Sequence, residues 1–195
     1  MRISGGIAKG ISLVVPSGDT VRPATDGLRQ ALFSSLGSRI IGARFLDLFA
    51  GSGAYGLEAL SRGATRGTFV EKNARSLTSL RRNLQAVAKS LGKSPDDLAR
   101  ISAHDVASWQ PSLEDPPANL IFVDPPYDLI LELSPALLAR LADWVNPEDD
   151  PLLFFETPGE ITLESPQWMA FKRIGGTKPR QPGISVFRLR ELAPG

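Results

Sequence analysis

Apolar residues in this chain gather into short runs separated by amphipathic stretches. Phe45-Leu46-Asp47-Leu48-Phe49, Gly67-Thr68-Phe69-Val70-Glu71, Asn119-Leu120-Ile121-Phe122-Val123 and Leu152-Leu153-Phe154-Phe155-Glu156 are too short for helices and are apolar on both alternations. Such runs read as strands covered on both faces. Between them the spacing predicts a helix over 54–62 stopped at Gly63, a helix over 73–91 stopped at Gly92, a strand over 100–103 and a helix near 129–142. Strands alternating with helices specify a parallel sheet with helices on both faces. Strands near 168–174 and 184–190 follow one another without a helix, as an antiparallel closing pair would.

Ahead of the first buried run, residues 2–15 predict a β-hairpin with Lys9-Gly10 near its turn. Thr25 is a candidate N-cap for a helix with Leu28, Ala31, Leu32 and Leu36 on its apolar face and Gly37 at its end. Residues 92–99 are polar and turn-rich and read as a surface connection. There is no internal repeat and no low-complexity tract. At 195 residues and 42% hydrophobic the chain reads as one domain, with 1–44 as a hairpin-and-helix extension and 45–195 as an α/β core of the Rossmann-like type.

Two segments carry candidate chemistry. Asp124-Pro125-Pro126-Tyr127 follows a buried strand, and its two prolines fix an extended shelf while removing two amide donors. Acceptors beside an aromatic face match the donors and flat ring of a nucleobase amino group. The plainer alternative is a strand terminator capped by an aromatic. The second segment is the turn Ala50-Gly51-Ser52-Gly53-Ala54-Tyr55-Gly56, where strand 45–49 runs into a helix. Its glycine spacing fits the dinucleotide pattern Gly-x-Gly-x-x-Gly. Asp47 within the strand, however, suits a ligand with a cationic end better than a pyrophosphate. Glu71 at the tip of the next strand is placed to grip a ribose diol. Ligands of such sheets lie beyond the carboxyl ends of the strands, a rule that gathers Gly51, Glu71, Asp105 and Asp124 around one crevice.

Residues 45–127 resemble the Rossmann-like S-adenosylmethionine-dependent methyltransferases with an Asp/Asn-Pro-Pro-Tyr motif. The closer resemblance is to the bacterial 16S ribosomal RNA guanine-N2 methyltransferases. It rests on Met1-Arg2-Ile3-Ser4-Gly5-Gly6, on Arg22-Pro23-Ala24-Thr25-Asp26 leading into Leu28-Arg29-Gln30-Ala31-Leu32-Phe33, on Phe45 to Gly53 and on Asp124 to Tyr127. The resemblance implies a seven-stranded, mostly parallel sheet and S-adenosylmethionine as cofactor. It implies a cofactor pocket of Asp47, Phe49, Gly51, Ser52 and Gly53 with Glu71, Lys72, Asp105 and Thr25. Asp105 would meet the adenine amino group, and Asp124, Pro125, Pro126 and Tyr127 would hold the base. Gly27, Gln30, Tyr55 and His104 depart from the family pattern.

Charge and composition narrow the picture. The absence of cysteine removes disulfides, thiolate metal sites and a cysteine nucleophile, and the single His104 leaves no histidine cluster, so no metal is expected. The N-terminus lacks the layout of a signal peptide and no stretch is long enough to span a bilayer, so a cytoplasmic protein is expected. Net charge is +1, but residues 1–44 hold six Lys/Arg against two acids and residues 167–195 six against one. Lys9, Arg22, Arg29, Lys172, Arg173, Lys178 and Arg180 would form a basic rim for a phosphate backbone if both ends packed beside the crevice. The expected partner is 16S ribosomal RNA or the small ribosomal subunit, met by a monomer. Two other readings stand beside this one: adenine-N6 methylation of DNA or RNA, and a non-catalytic RNA-binding or ribosome-assembly protein on the same scaffold.

Overall fold

The computed structural model describes residues 1–16, 23–112 and 115–190, with the backbone alone for 23–25. The elements are α1 (Pro23–Leu36), β1 (Arg44–Leu48), α2 (Ala54–Ser61), β2 (Arg66–Val70), α3 (Ala74–Leu91), α4 (Pro95–Leu98), β3 (Ala99–Ser102), β4 (Leu120–Val123), α5 (Ile130–Asp143), β5 (Leu152–Pro158), β6 (Trp168–Gly175) and β7 (Pro182–Leu189). Seven strands form one sheet in the order β3-β2-β1-β4-β5-β7-β6. The pairs among β1 to β5 are parallel, and β7 is antiparallel to both β5 and β6. This is the expected Rossmann-like arrangement.

The two-sided burial of the central strands explains their unbroken apolar runs. Leu120 and Phe122 of β4 and Leu152 and Phe154 of β5 face one layer, with Phe33 of α1 and Leu57 of α2. Ile121, Val123, Leu153 and Phe155 face the other, against Leu137, Leu138 and Leu141 of α5 and Trp168 of β6. Trp168 is a core residue whose indole N–H donates to the Leu138 carbonyl at 2.9 Å. Helix α3 starts on Asn73, whose side-chain oxygen accepts from the amides of Arg75 and Ser76, and ends on left-handed Gly92.

Several local expectations need correction. The N-terminal hairpin is present but short: Arg2 bridges Ser12 antiparallel, with Ile3 N–H donating to the Ile11 carbonyl, Gly10 N–H to the Ile3 carbonyl and Leu13 N–H to the Met1 carbonyl. The turn between its arms docks on α2: Ile7 N–H donates to the Ser61 carbonyl and Ala8 N–H to Ser61 Oγ. Gly6, at φ 78°, lies so close to Ser61 that any side chain there would collide with its carbonyl. Helix α1 opens at Pro23, which puts Thr25 inside its first turn, and Phe33 takes the buried place expected of Ala31, which is exposed. Pro at the first helical position is pre-set for the helix. Residues 92–99 contain α4, which buries Leu98.

Candidate active site

The strand order turns back between β1 and β4, and a cleft of about 1090 Å³ opens beyond the carboxyl ends of these strands. Each strand contributes its C-terminal residues: Asp47 and Phe49 from β1, Glu71 and Lys72 from β2, Asp105 from the loop after β3, Asp124 to Tyr127 after β4, and Glu156 from β5. Asp47, Phe49, Gly51, Ser52, Glu71, Lys72, Asp105, Asp124, Pro125, Pro126 and Tyr127 all line it, so the sequence-predicted residues converge on one place.

The turn after β1 is built on left-handed backbone at Phe49 (φ 58°), Gly51 (φ 54°) and Gly53 (φ 87°). A phenylalanine there is strained by about 1–3 kcal/mol, which the surrounding hydrogen bonds hold in place. Ala50 N–H donates to the Val70 carbonyl, Gly53 N–H to the Ala50 carbonyl, and Gly51 N–H to Glu71 Oε2 at 2.8 Å. Gly53 caps α2 and does not line the cleft. Its role is steric, because a Cβ there would lie 2.3 Å from Leu80 Cδ1.

The carboxylates differ in environment. Glu71 accepts from the amides of Gly51 and Asn73, which leaves lone pairs toward the cleft. Asp105 is half-buried and pairs with Lys72 Nζ at 2.8 Å; that bond first, then the amide of Ala107, holds its carboxyl below the usual range. Asp47 is buried and accepts from Gly56 N–H at 2.9 Å; burial pushes it up to about 8, opposed by the Gly56 amide and assisted by Glu71. Asp124 is raised well above the carboxylate range by burial, then by Glu156 and by Asp47. Pro126 presents its carbonyl to Leu129 N–H, which folds Tyr127 into a short 3-10 turn at the cleft mouth, 38% exposed.

Sequence reasoning missed three contributors. Glu156, raised by burial, accepts from the Tyr55 hydroxyl at 2.6 Å, and the Tyr55 ring stacks on Phe122 at 5.6 Å. Both line the cleft, so a residue that departs from the family pattern is part of its floor. Glu156 closes the apolar run of its strand as Glu71 does, and that was the available signal. Asn83, in the middle of α3, carries none: its side chain joins the Val14 backbone to the Ser52 carbonyl and so ties the N-terminal segment to the glycine turn.

The basic rim needs larger correction. Arg29 is 2% exposed, bonded to Asp26 Oδ1 and the Arg2 carbonyl and 3.6 Å from Glu58, so it belongs to the cleft wall. Arg173 spends its guanidinium on Thr157, Pro158, Gly176 and Ser185. Lys9 rides the turn docked on Ser61, at the end of α2 opposite the glycine turn. Lys172 is exposed on the edge strand β6. Lys178 and Arg180 are exposed in the β6–β7 connection, which lies at the cleft end of the sheet because Pro182 pairs with Pro158. Arg22 and the Thr25 side chain lie outside the described residues. Gly27 and Gln30 face solvent on α1, away from the floor of the cleft.

Among the described residues no group of acids and histidine is arranged to hold a metal ion, and no helix is long and apolar enough to cross a membrane. The family described as Conserved hypothetical protein 95 matches residues 1–180. Ribosomal RNA small subunit methyltransferase D of Escherichia coli K12 is 36% identical over 163 residues, 84% of this chain and 77% of that protein. The protein of the same name in Haemophilus influenzae is 30% identical over 190 residues, 97% of this chain and 92% of its own length. A solved Escherichia coli structure, described as a candidate methyltransferase, superposes with a TM-score of 0.77 at 28% identity and covers 98% of this chain and 99% of its own.

Proposed function

This chain belongs to the Conserved hypothetical protein 95 family, that of the ribosomal RNA small subunit methyltransferase D proteins, and on that premise we propose that it methylates the exocyclic N2 amino group of a guanine in 16S ribosomal RNA, with S-adenosylmethionine as methyl donor. The observation that carries this reading is that the Asp124-Pro125-Pro126-Tyr127 shelf and the turn after β1 open into one cleft from adjacent strands. Its acid-lined wall fits a ligand with cationic sulfonium and ammonium groups and would repel a pyrophosphate.

When bound, S-adenosylmethionine supplies an electrophilic methyl group on a positively charged sulfur. Glu71 would accept from the ribose hydroxyls, Asp105 from the adenine amino group, and Asp47 and Phe49 would border the charged end. Asp124 and the Pro125 carbonyl would accept from the N2 amino protons, since the Pro126 carbonyl is already engaged by Leu129. These bonds favour a pyramidal nitrogen whose lone pair is less delocalised into the purine. Tyr127 would stack on the base, a contact worth about 1–3 kcal/mol. Methylation leaves the donor's sulfur a neutral thioether and the nitrogen cationic, and a proton then leaves the nitrogen. Positioning of the two reacting atoms supplies most of the rate.

The test is incubation with radiolabelled S-adenosylmethionine and small ribosomal subunits from a strain lacking the gene, with duplex DNA in parallel, followed by nucleoside analysis. N2-methylguanosine in the 16S RNA is the expected product. Label in DNA adenine, or none in either substrate, overturns the reading.

A further inference from the structure

We propose that Glu156 reads the target base: its open carboxylate oxygen accepts the N1–H of guanine beside the N2 amino group held by Asp124, and this second acceptor selects guanine over adenine. The inference rests on the guanine-N2 reading above and names the group in the cleft that enforces it.

Register carries the argument first. Val123 of β4 pairs with Phe155 of β5, so Asp124 and Glu156 are the next residues on two parallel neighbours, which run about 4.8 Å apart. Both line the cleft. Among the described residues the Asp124 carboxylate receives no hydrogen bond, and Glu156 receives one, from Tyr55 to Oε2. Glu156 Oε1 is therefore an open acceptor beside a second open acceptor. Asp47, the third acid of the floor, is already engaged by Gly56 N–H.

Guanine presents two adjacent donors on one edge, N1–H and the N2 amino group, and two acceptors side by side are their complement. Adenine presents an amino donor beside N1, which carries a lone pair and no hydrogen. With its amino group on Asp124, adenine would set that lone pair against Glu156 and leave both unpaired, so the arrangement rejects the competitor as well as holding the substrate. The Tyr55 ring, stacked on Phe122, braces the glutamate so that its free oxygen keeps one position. Burial raises both carboxyls and Glu156 raises Asp124 further, while the Tyr55 hydroxyl draws Glu156 back toward its charged, accepting form.

The deciding comparison uses small subunits reconstituted with 16S RNA that carries either guanine or 2-aminopurine at the position the wild-type enzyme methylates. 2-Aminopurine keeps the amino group but has an acceptor at N1. Dividing the guanine-to-2-aminopurine ratio of kcat/KM in the wild type by that in Glu156→Gln cancels the intrinsic reactivity of each base. The expected ratio falls by about tenfold or more in the variant, since a glutamine can donate to the N1 of 2-aminopurine. S-adenosylmethionine affinity and urea stability of the variant establish that it is folded. Equal slowing on both bases, or an unchanged ratio, overturns the assignment and leaves Glu156 a support for Tyr55. Absence of wild-type label at any guanine overturns the guanine-N2 reading itself.

Discussion

Tyr55 donates a 2.6 Å hydrogen bond to Glu156, joining the first turn of α2 to the end of β5 beneath the cleft. The two groups oppose each other in titration. Burial and then Glu156 push the tyrosine hydroxyl well above its ordinary value, while the tyrosine's donation partly offsets the rise that burial imposes on Glu156. A strand-end acid is thereby held ionisable in a place that disfavours charge.

Tyr55→Phe removes the donor and keeps the ring on Phe122. Glu156 loses the one bond that favours its charged form, so its carboxyl rises further and the stability loss is greater at pH 8 than at pH 5. A loss of about 1–3 kcal/mol is expected at the higher pH. Urea denaturation of both proteins at the two pH values measures it, and a variant as stable as the wild type at pH 8 would show that the bond contributes nothing.

Asp47 gives the cleft a pH dependence whose sign is fixed. Its carboxyl stands at about 8 in the folded protein against 3.8 for the free group, because burial and Glu71 outweigh the Gly56 amide. Between these values the native state holds a proton that the unfolded chain has lost, so stability falls as pH rises through that window. Asp47→Asn keeps an acceptor for Gly56 and is expected to flatten the profile, gaining on the wild type from pH 5 to pH 8. Asp124 and Glu156 are raised in the same direction, so some slope remains. A cationic ligand favours the ionised acids, and calorimetric titration of the wild type is expected to show affinity for S-adenosylmethionine rising over the same range.

Asp124→Ala is expected to abolish methyl transfer while S-adenosylmethionine affinity stays within a few-fold, because in the proposed function the residue holds the base and not the donor. Removal of a desolvated carboxylate that receives no hydrogen bond leaves the denaturation midpoint at pH 8 unchanged or higher. Loss of cofactor binding would place Asp124 in the donor pocket instead.

The sheet was legible because every central strand is buried on both faces, which imposes an apolar run on the sequence whatever its partners. The cleft was legible for a related reason: its residues are strand ends, and their order follows from topology. Glu156 obeys the same rule and could have been found by it. What one dimension cannot carry is how a polar side chain is used. Arg29 and Arg173 look like surface cations in the sequence, but one fills a pocket made by Asp26, Glu58 and Arg2, and the other clasps β5 to β7. The N-terminal hairpin forms as its sequence implies, and what one dimension hides is that its turn docks on Ser61, 53 residues away from Ala8.

The same distinction separates two kinds of cation in the C-terminal basic stretch. Lys178 and Arg180 stand exposed at the cleft end of the sheet, and the Arg180 backbone is pinned by Glu160 Oε2 at 2.8 Å, so this connection presents its charges in a defined place. A contact to phosphate releases a counterion, and each one lost lowers the slope of log affinity against log salt by about 0.7–0.9. Lys178→Ala combined with Arg180→Ala is therefore expected to weaken binding to small-subunit RNA, to reduce the salt slope by between one and two, and to leave urea stability within about 0.5 kcal/mol. Arg173→Ala is expected to do the reverse. It strips donors from Thr157, Pro158, Gly176 and Ser185, lowers stability by about 1–3 kcal/mol and leaves the salt slope unchanged. Filter binding across a salt series, set beside denaturation of each variant, separates the two roles; a salt slope that drops for Arg173 and not for the pair would move the RNA path from the β6–β7 connection to the body of the sheet.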